Sequence, residues 1–204
     1  VEDCYGVYNN IQVQYFSTQL VQSKMVNSRI DKYIIYPAQY WKHKNHVNLL
    51  LAINILKRKY KDIKLVLIGH KKRNYNKIFK LTQKLGVEKN IEFLGYVSEN
   101  NKAKLITNAR ALINPSFLGP TNIPQIEAFK LSCPVILSNV FAAKEQCGDS
   151  AIYFDPNYPE SIAASIEKIW ATDYLYELYS SKSLSRFKNF KFEKFSNDLI
   201  RNIF

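Results

Sequence analysis

Short apolar runs alternate with amphipathic stretches along this chain, and that rhythm constrains its fold more than any other feature. Residues 33–36 (YIIY) form a β-rich run stopped by Pro37, and residues 64–68 (KLVLI) form a second run ended by Gly69. The runs 91–94, 111–114, 134–137 and 151–154 repeat the pattern. Apolar runs without polar alternation are expected of parallel strands covered on both faces. Between them lie stretches with helical spacing. Residues 45–60 carry Val47, Leu50, Leu51, Ile53, Ile55 and Leu56, with lysines at the C-terminal end where they suit the helix dipole. Residues 75–85 place Ile78, Leu81 and Leu85 on one stripe before Gly86, a residue type that ends helices. Residues 98–108 open on Ser98, a strong N-cap. Helices are further expected over 124–131 and 160–170 and, in two aromatic-rich pieces, over 173–204. Residues 11–16 read as a short strand, and 17–31 show no firm period.

Strand and helix alternate at least four times, which predicts an α/β fold. The expected architecture is a Rossmann-like parallel sheet with helices on both faces, because right-handed crossovers put them there. Such sheets bind ligands beyond the C-terminal strand ends, near the switch in strand order. Here those ends carry residues 38–44, 69–72, 95–97, 115–123 and 138–145, five candidate walls of one cleft. Neither GxGxxG nor GxxxxGK[ST] occurs, which argues against a dinucleotide fingerprint and a P-loop.

The most informative wall is 115–129, PSFLGPTNIPQIEAF. Pro124 sits in the first helical turn, where no amide hydrogen is needed and φ is preset. Unpaired amides at such a start favour an anion, usually a phosphate. Glu127, one turn in, has the chemistry to accept two vicinal hydroxyls. On these residues alone, a plain loop-to-helix junction with a glutamate complementing the dipole fits at least as well. In QYWKHKN (39–45), Lys44 at a helix start opposes the dipole, a conflict that a bound anion would relieve; a solvated surface lysine is the alternative. Gly95 in LGYV lets backbone approach a flat ligand; taken alone, an ordinary strand-to-loop glycine is the favoured reading. Tyr40, Trp41 and Tyr96 either stack on a base or sugar or, the favoured reading, pack at loop bases. Glu145 and Asp149 are expected to serve turn and capping chemistry, with Glu145 opening toward the same cleft.

The balance of 29 basic against 17 acidic residues gives a net charge of +12 and favours phosphate-bearing partners. No RNP-like aromatic motif, zinc-finger spacing or arginine-rich arm accompanies it, so nucleic acid is not the expected partner. Cys4, Cys133 and Cys147 are odd in number and scattered, against a disulfide framework and in keeping with a reducing cytosol. His43, His46 and His70 make no metal-binding spacing. No segment reaches the apolar length of a membrane span, and residues 1–10 lack a signal-peptide pattern.

Four stretches in this order, YPAQYWKHKNH, FLGYVSENNKAKLITNARALINPSF, GPTNIPQIEAFKLSCPVILSN and EQCGDSAIYFDP, resemble the C-terminal lobe of the retaining GT-B glycosyltransferases, the glycosyl transferases group 1 class. The resemblance runs from about Tyr33 to the end. It implies a domain that binds a nucleotide diphosphate sugar, with a separate N-terminal domain for the acceptor glycan or glycolipid and chemistry in the cleft between. Gln39 and Lys44 then stand where the family places an arginine–lysine pair on the donor diphosphate. Tyr96 and Val97 would touch the base, and Pro120, Thr121, Asn122 and Ile123 would present amides to the diphosphate and the transferred sugar. Glu127 matches the second glutamate of the E-x7-E motif, which holds the ribose hydroxyls. Two positions depart: Gly119 replaces the first, sugar-facing glutamate, and Gln39 lacks the arginine charge.

On this reading 1–32 is an interdomain segment and the start of the lobe, and 33–172 the donor-binding domain. Residues 173–204 are helices running back toward an N-terminal domain that the chain is expected to lack. Alone it should bind nucleotide but transfer sugar poorly or not at all. No cofactor and no metal are expected, and no DxD-like motif lies near the proposed site. The expected location is cytoplasmic, peripheral at an anionic inner membrane face. Two alternatives stay open: a GT-B-type sugar-nucleotide epimerase, and a non-catalytic nucleotide-binding module, to which the Gly119 and Gln39 departures lend weight.

Overall fold

A computed structural model describes residues 32–118, 123–140 and 142–190. Six short strands, β1 (Ile34–Pro37), β2 (Leu65–Ile68), β3 (Ile91–Gly95), β4 (Ala111–Asn114), β5 (Val135–Ser138) and β6 (Ala151–Phe154), form one sheet in the order β3-β2-β1-β4-β5-β6. Every neighbouring pair is parallel. β1 pairs with β2 along its whole length, Ile34↔Leu65 to Pro37↔Ile68. Its ladder with β4 holds only Ile34↔Ala111 and Ile35↔Leu112. The strands are the apolar runs read from the sequence, and the two central ones besides β1, namely β2 and β4, are buried throughout, as the lack of polar alternation demands.

Helices α1 (His46–Leu56), α2 (Tyr75–Leu85), α3 (Glu99–Asn108), α4 (Ile123–Lys130), α5 (Ala143–Cys147), α6 (Pro159–Ala171) and α7 (Asp173–Phe187) cover the sheet. Side chains alternate across each strand, so the core divides into two. Ile34, Tyr36, Leu65 and Leu67 pack against α1, α2 and α6 through Leu50, Ile53, Ile78, Ile166 and Trp170. Tyr33, Ile35, Val66 and Ile68 face the other way, onto Ile106 of α3, Ile126 and Phe129 of α4, and Cys147 of α5. The result is a three-layer α/β fold, as expected.

The sequence signals at the helix ends hold. Gly86 ends α2 at φ 62°, and the Ser98 hydroxyl accepts the Asn101 amide at the start of α3. The helix expected over 45–60 stops at Leu56, and α4 begins at Ile123, one residue sooner than expected. Of the C-terminal region, α7 packs on the lobe itself: Ser183 donates to the Cys133 carbonyl at 3.0 Å, and Arg110 pairs with Asp173 at 2.6 Å. The strand expected at 11–16 and the helical piece beyond residue 190 lie outside the described residues. Cys133 and Cys147 are buried free thiols, both pushed up to about 12 by burial.

Candidate functional site

The strand order reverses direction between β1 and β4, and ligands of such sheets sit beyond that switch. The β1–β4 ladder ends at Ile35, two residues before β1 does, so the two chains part at their C-terminal ends. There, a cleft of about 280 Å³ is lined by residues that include Gln39, His70, Tyr96, Lys102, Ile123 and Glu127. Close backbone packing shapes its floor. The Gly69 amide donates to the Gly95 carbonyl at 2.9 Å, and the Ala38 amide to the Ile68 carbonyl at 2.8 Å. A Cβ on Gly69 would lie 2.4 Å from the Ala38 oxygen, which no side chain tolerates, and Gly95 turns at φ 73°. These two glycines set how near the ends of β1, β2 and β3 approach one another.

One wall is aromatic. Tyr96 is 69% exposed and stacks on His70, with ring centroids 5.0 Å apart and planes 13° from parallel. Val97 continues this wall. Packing at a loop base, the favoured expectation, holds for Tyr40, which is buried edge-on to Tyr75 at 5.3 Å. It fails for Tyr96 and for Trp41, which is 43% exposed with the Arg73 guanidinium over its ring.

The opposite wall is the first turn of α4 and the α3 surface beside it. Ile123 and Pro124 line the cleft, and Glu127 lies one turn further, 5% exposed. Lys102 of α3 reaches its Oε1 at 2.9 Å and also Glu99 at 2.8 Å. Burial raises the Glu127 pKa above the ordinary carboxylate value, against the pull of Lys102. Burial also works against the Lys102 charge, but the two carboxylates together outweigh it and raise its pKa. His70 falls in the wall expected at 69–72, whereas Lys102 and Glu99 were not singled out. The available signal was that Glu99 and Lys102 share a helix face at i,i+3, but only the packing of α3 beside α4 aims that face at the cleft.

Gln39 lines the cleft, as expected of a residue following β1. Lys44 does not begin α1: it closes a 3-10 turn, Lys42–Lys44, and Asn45 at φ 54° separates it from the helix. Lys44 is half-buried, burial lowers its pKa, and it forms no salt bridge with a described residue. A buried network ties its turn to the end of β4. The Tyr36 hydroxyl donates to the Lys44 carbonyl at 3.0 Å, Asn45 donates to the Pro115 carbonyl at 3.0 Å, and the Phe117 amide donates to the His43 carbonyl at 2.9 Å. Ser116 donates to the Asn114 side chain at 2.7 Å. The described parts of the loops after β1 and β4 are therefore hydrogen-bonded to each other at the switch point.

Gly119, Pro120, Thr121 and Asn122 lie outside the described residues. Glu145 is not among the residues lining the cleft. It is exposed on the short helix α5, which the sequence pattern missed, and its carbonyl accepts from Arg186 of α7. Ser138 is buried and donates to the Asn114 carbonyl. Among the described residues no cluster of three His, Cys, Asp or Glu side chains forms a metal site, and no helix is long and apolar enough to cross a membrane.

Sheet order, helical layers and the cleft at the β1–β4 switch define the Rossmann-like lobe of a GT-B fold. The chain belongs to the Glycosyl transferases group 1 family, whose model matches residues 22–186. It is 28% identical over 169 residues to O-antigen chain mannosyltransferase B of Escherichia coli, covering 82% of this chain and 44% of that protein. Two solved structures share the fold. One is a variant of S. aureus TarM in complex with Fondaparinux, alpha-GlcNAc-glycerol and UDP (TM-score 0.84, 15% identity, 98% of this chain and 40% of that one). The other is Anabaena Alr3699/HepE in complex with UDP and glucose (TM-score 0.75, 14% identity, 84% and 47%). The chain spans less than half the length of each of these relatives.

Proposed function

We propose that this chain is the donor-binding lobe of a glycosyltransferase that moves a sugar from a nucleotide diphosphate sugar to an acceptor hydroxyl with retention, in polysaccharide or glycolipid biosynthesis. The observation that carries the reading is the pairing, across one cleft at the switch point, of a flat aromatic face with a buried carboxylate at a helix start. A base fits against Tyr96 and His70, and its ribose falls toward Glu127. The first-turn amides of α4 favour the diphosphate, with Lys44 supplying the compensating charge. Its half-buried ammonium, without an anionic partner among the described residues, is in the state that a bound diphosphate would stabilise.

In this mechanism charge on the leaving diphosphate is stabilised electrostatically by fixed amides and Lys44, without a metal. Gln39 adds hydrogen bonds but no charge, so the binding falls more heavily on Lys44. Pro120, Thr121, Asn122 and Ile123 would present amides to the diphosphate and the transferred sugar, and Gly119 stands where the family places a sugar-facing carboxylate. The acceptor glycan or glycolipid is assigned to a separate N-terminal domain. The named mannosyltransferase relative supports a polysaccharide product, and the UDP complexes of the structural neighbours support the donor class. The net charge of +12 suits peripheral contact with an anionic membrane on which lipid-linked acceptors are carried.

The test is isothermal calorimetry of the chain with UDP, GDP and ADP. Saturable binding of at least one, weakened at least tenfold in Glu127→Ala and Lys44→Ala, is the expected result; each removes a charge-assisted contact. A folded chain that takes up none of the three overturns the proposal.

A further inference from the structure

Glu127 poses an electrostatic problem that its position creates. A carboxylate 5% exposed in a cleft has lost most of its water, and desolvation favours the protonated acid. A protonated carboxyl is a poor acceptor for two hydroxyls, since one oxygen has become a donor. Something must hold the group charged before ligand arrives.

The groups around it leave one candidate. From α3, Lys102 Nζ lies 2.9 Å from Glu127 Oε1, and the same ammonium lies 2.8 Å from Glu99. Lys102 is itself largely covered, at 17% side-chain exposure, whereas Glu99 is open to solvent at 67%. From the loops after β2 and β3, His70 and Tyr96 are stacked on each other. From α7, which also packs on α4, Asp173 is held by Arg110 and Lys182 by Asp149, while Arg186 is spent on the Glu145 and Gln146 carbonyls. β4 and β5 carry no ionisable side chain. Lys102 is thus the cation that balances Glu127. Its contact is to Oε1, and no described residue hydrogen-bonds Oε2.

We propose that Lys102, braced by Glu99, is a positioning residue of the donor site that keeps Glu127 ionised and oriented, occupying Oε1 and leaving Oε2 for the vicinal hydroxyls of a ribose. This rests on the donor-site reading for the identity of the ligand, but the electrostatic half stands on the ligand-free chain. Glu99 acts through Lys102: it restrains the ammonium and keeps it charged, without facing the ribose.

The experiment has two arms, on wild type, Lys102→Met and Lys102→Arg. In the ligand-free arm the side-chain carboxyl carbon of Glu127, assigned by its loss in Glu127→Gln, is followed by NMR against pH. The midpoint is expected to rise in Lys102→Met and to stay near wild type in Lys102→Arg. In the ligand arm, affinities for the ribonucleoside diphosphate that binds wild type and for its 2′,3′-dideoxy analogue are measured from pH 6 to 8. Lys102→Met should bind the ribonucleotide about tenfold more weakly at pH 6, the worth of one charged hydrogen bond, and should recover as pH rises and Glu127 ionises. The ratio of ribonucleotide to dideoxy affinity cancels the titration of the ligand's own phosphate; wild type should prefer the ribonucleotide, and the variant should lose that preference at pH 6. An unchanged midpoint, or a loss of affinity equal at every pH, makes Lys102 a structural residue and overturns the proposal. A shifted midpoint in a chain that binds no nucleoside diphosphate overturns the ligand role together with the donor-site reading. Should Lys102→Met fail to fold, Lys102→Gln takes its place, with the same outcomes.

Discussion

Single residues carry the chemistry of this cleft, and their legibility in the sequence was uneven. Glu127 and Tyr96 were readable from their offsets beyond strand ends, because a residue one turn into a helix or one place past a strand has few places to go. Lys102 was unreadable, since its meaning depends on which face of α3 meets α4. His46 was equally opaque. It is buried between Tyr36 and Tyr40, with ring centroids 4.9 and 4.8 Å away, and neither ring nitrogen has a hydrogen-bond partner among the described residues. Burial, reinforced by Lys44, lowers its pKa to about 3 from 6.5. The folded value is depressed, so the unfolded chain takes up a proton first as pH falls below 6.5, and stability declines from there toward pH 3. Urea unfolding between pH 6.5 and 5 should lose up to about 1.4 kcal/mol per pH unit from this group. His43, shifted the same way, adds to the slope, and His46→Phe should remove only the His46 share. An equal slope in variant and wild type would show that His46 is not the group responsible.

Elements were more legible than residues. All six strands were marked by apolar runs, and the ends of α2 and α3 by Gly86 and Ser98, because backbone sterics and capping act locally. α5 was missed: five residues are fewer than two turns, too short for any period to emerge. The strand order is likewise absent from local pattern, since it follows from which crossovers pack. Two substitutions test the local reasoning. Ser98→Ala removes the hydroxyl that caps α3 and should cost about 1 kcal/mol in chemical denaturation, with little change in nucleotide affinity. Gly69→Ala drives a methyl into the Ala38 carbonyl and should cost about 1–3 kcal/mol. Because the displaced backbone leads directly to Gln39, nucleotide affinity should fall with it. A Gly69→Ala chain as stable as wild type would mean that the β1 and β2 ends part without penalty.

At the scale of the molecule, charge and division matter. With a net charge of +12, cosedimentation with vesicles containing anionic phosphatidylserine or phosphatidylglycerol should be strong at low salt and fall steeply as salt screens it; neutral vesicles should retain little. The sheet itself is two three-strand halves, β3-β2-β1 and β4-β5-β6, meeting along the shortest ladder around β1. The loop unit at 38–45 and 115–118 is hydrogen-bonded across that same line. A diphosphate held by Lys44 on one side and by α4 on the other would act as a clasp on the seam. Its occupancy should then stabilise the chain by mass action, by about 2.7 kcal/mol at a hundredfold excess over the dissociation constant, and raise its melting temperature accordingly. Hydrogen exchange should show where that protection lands: in the amides of β1 and β4 first, and only weakly in β3 and β6 at the rims. Substrate, in that sense, would be the missing rung of the ladder.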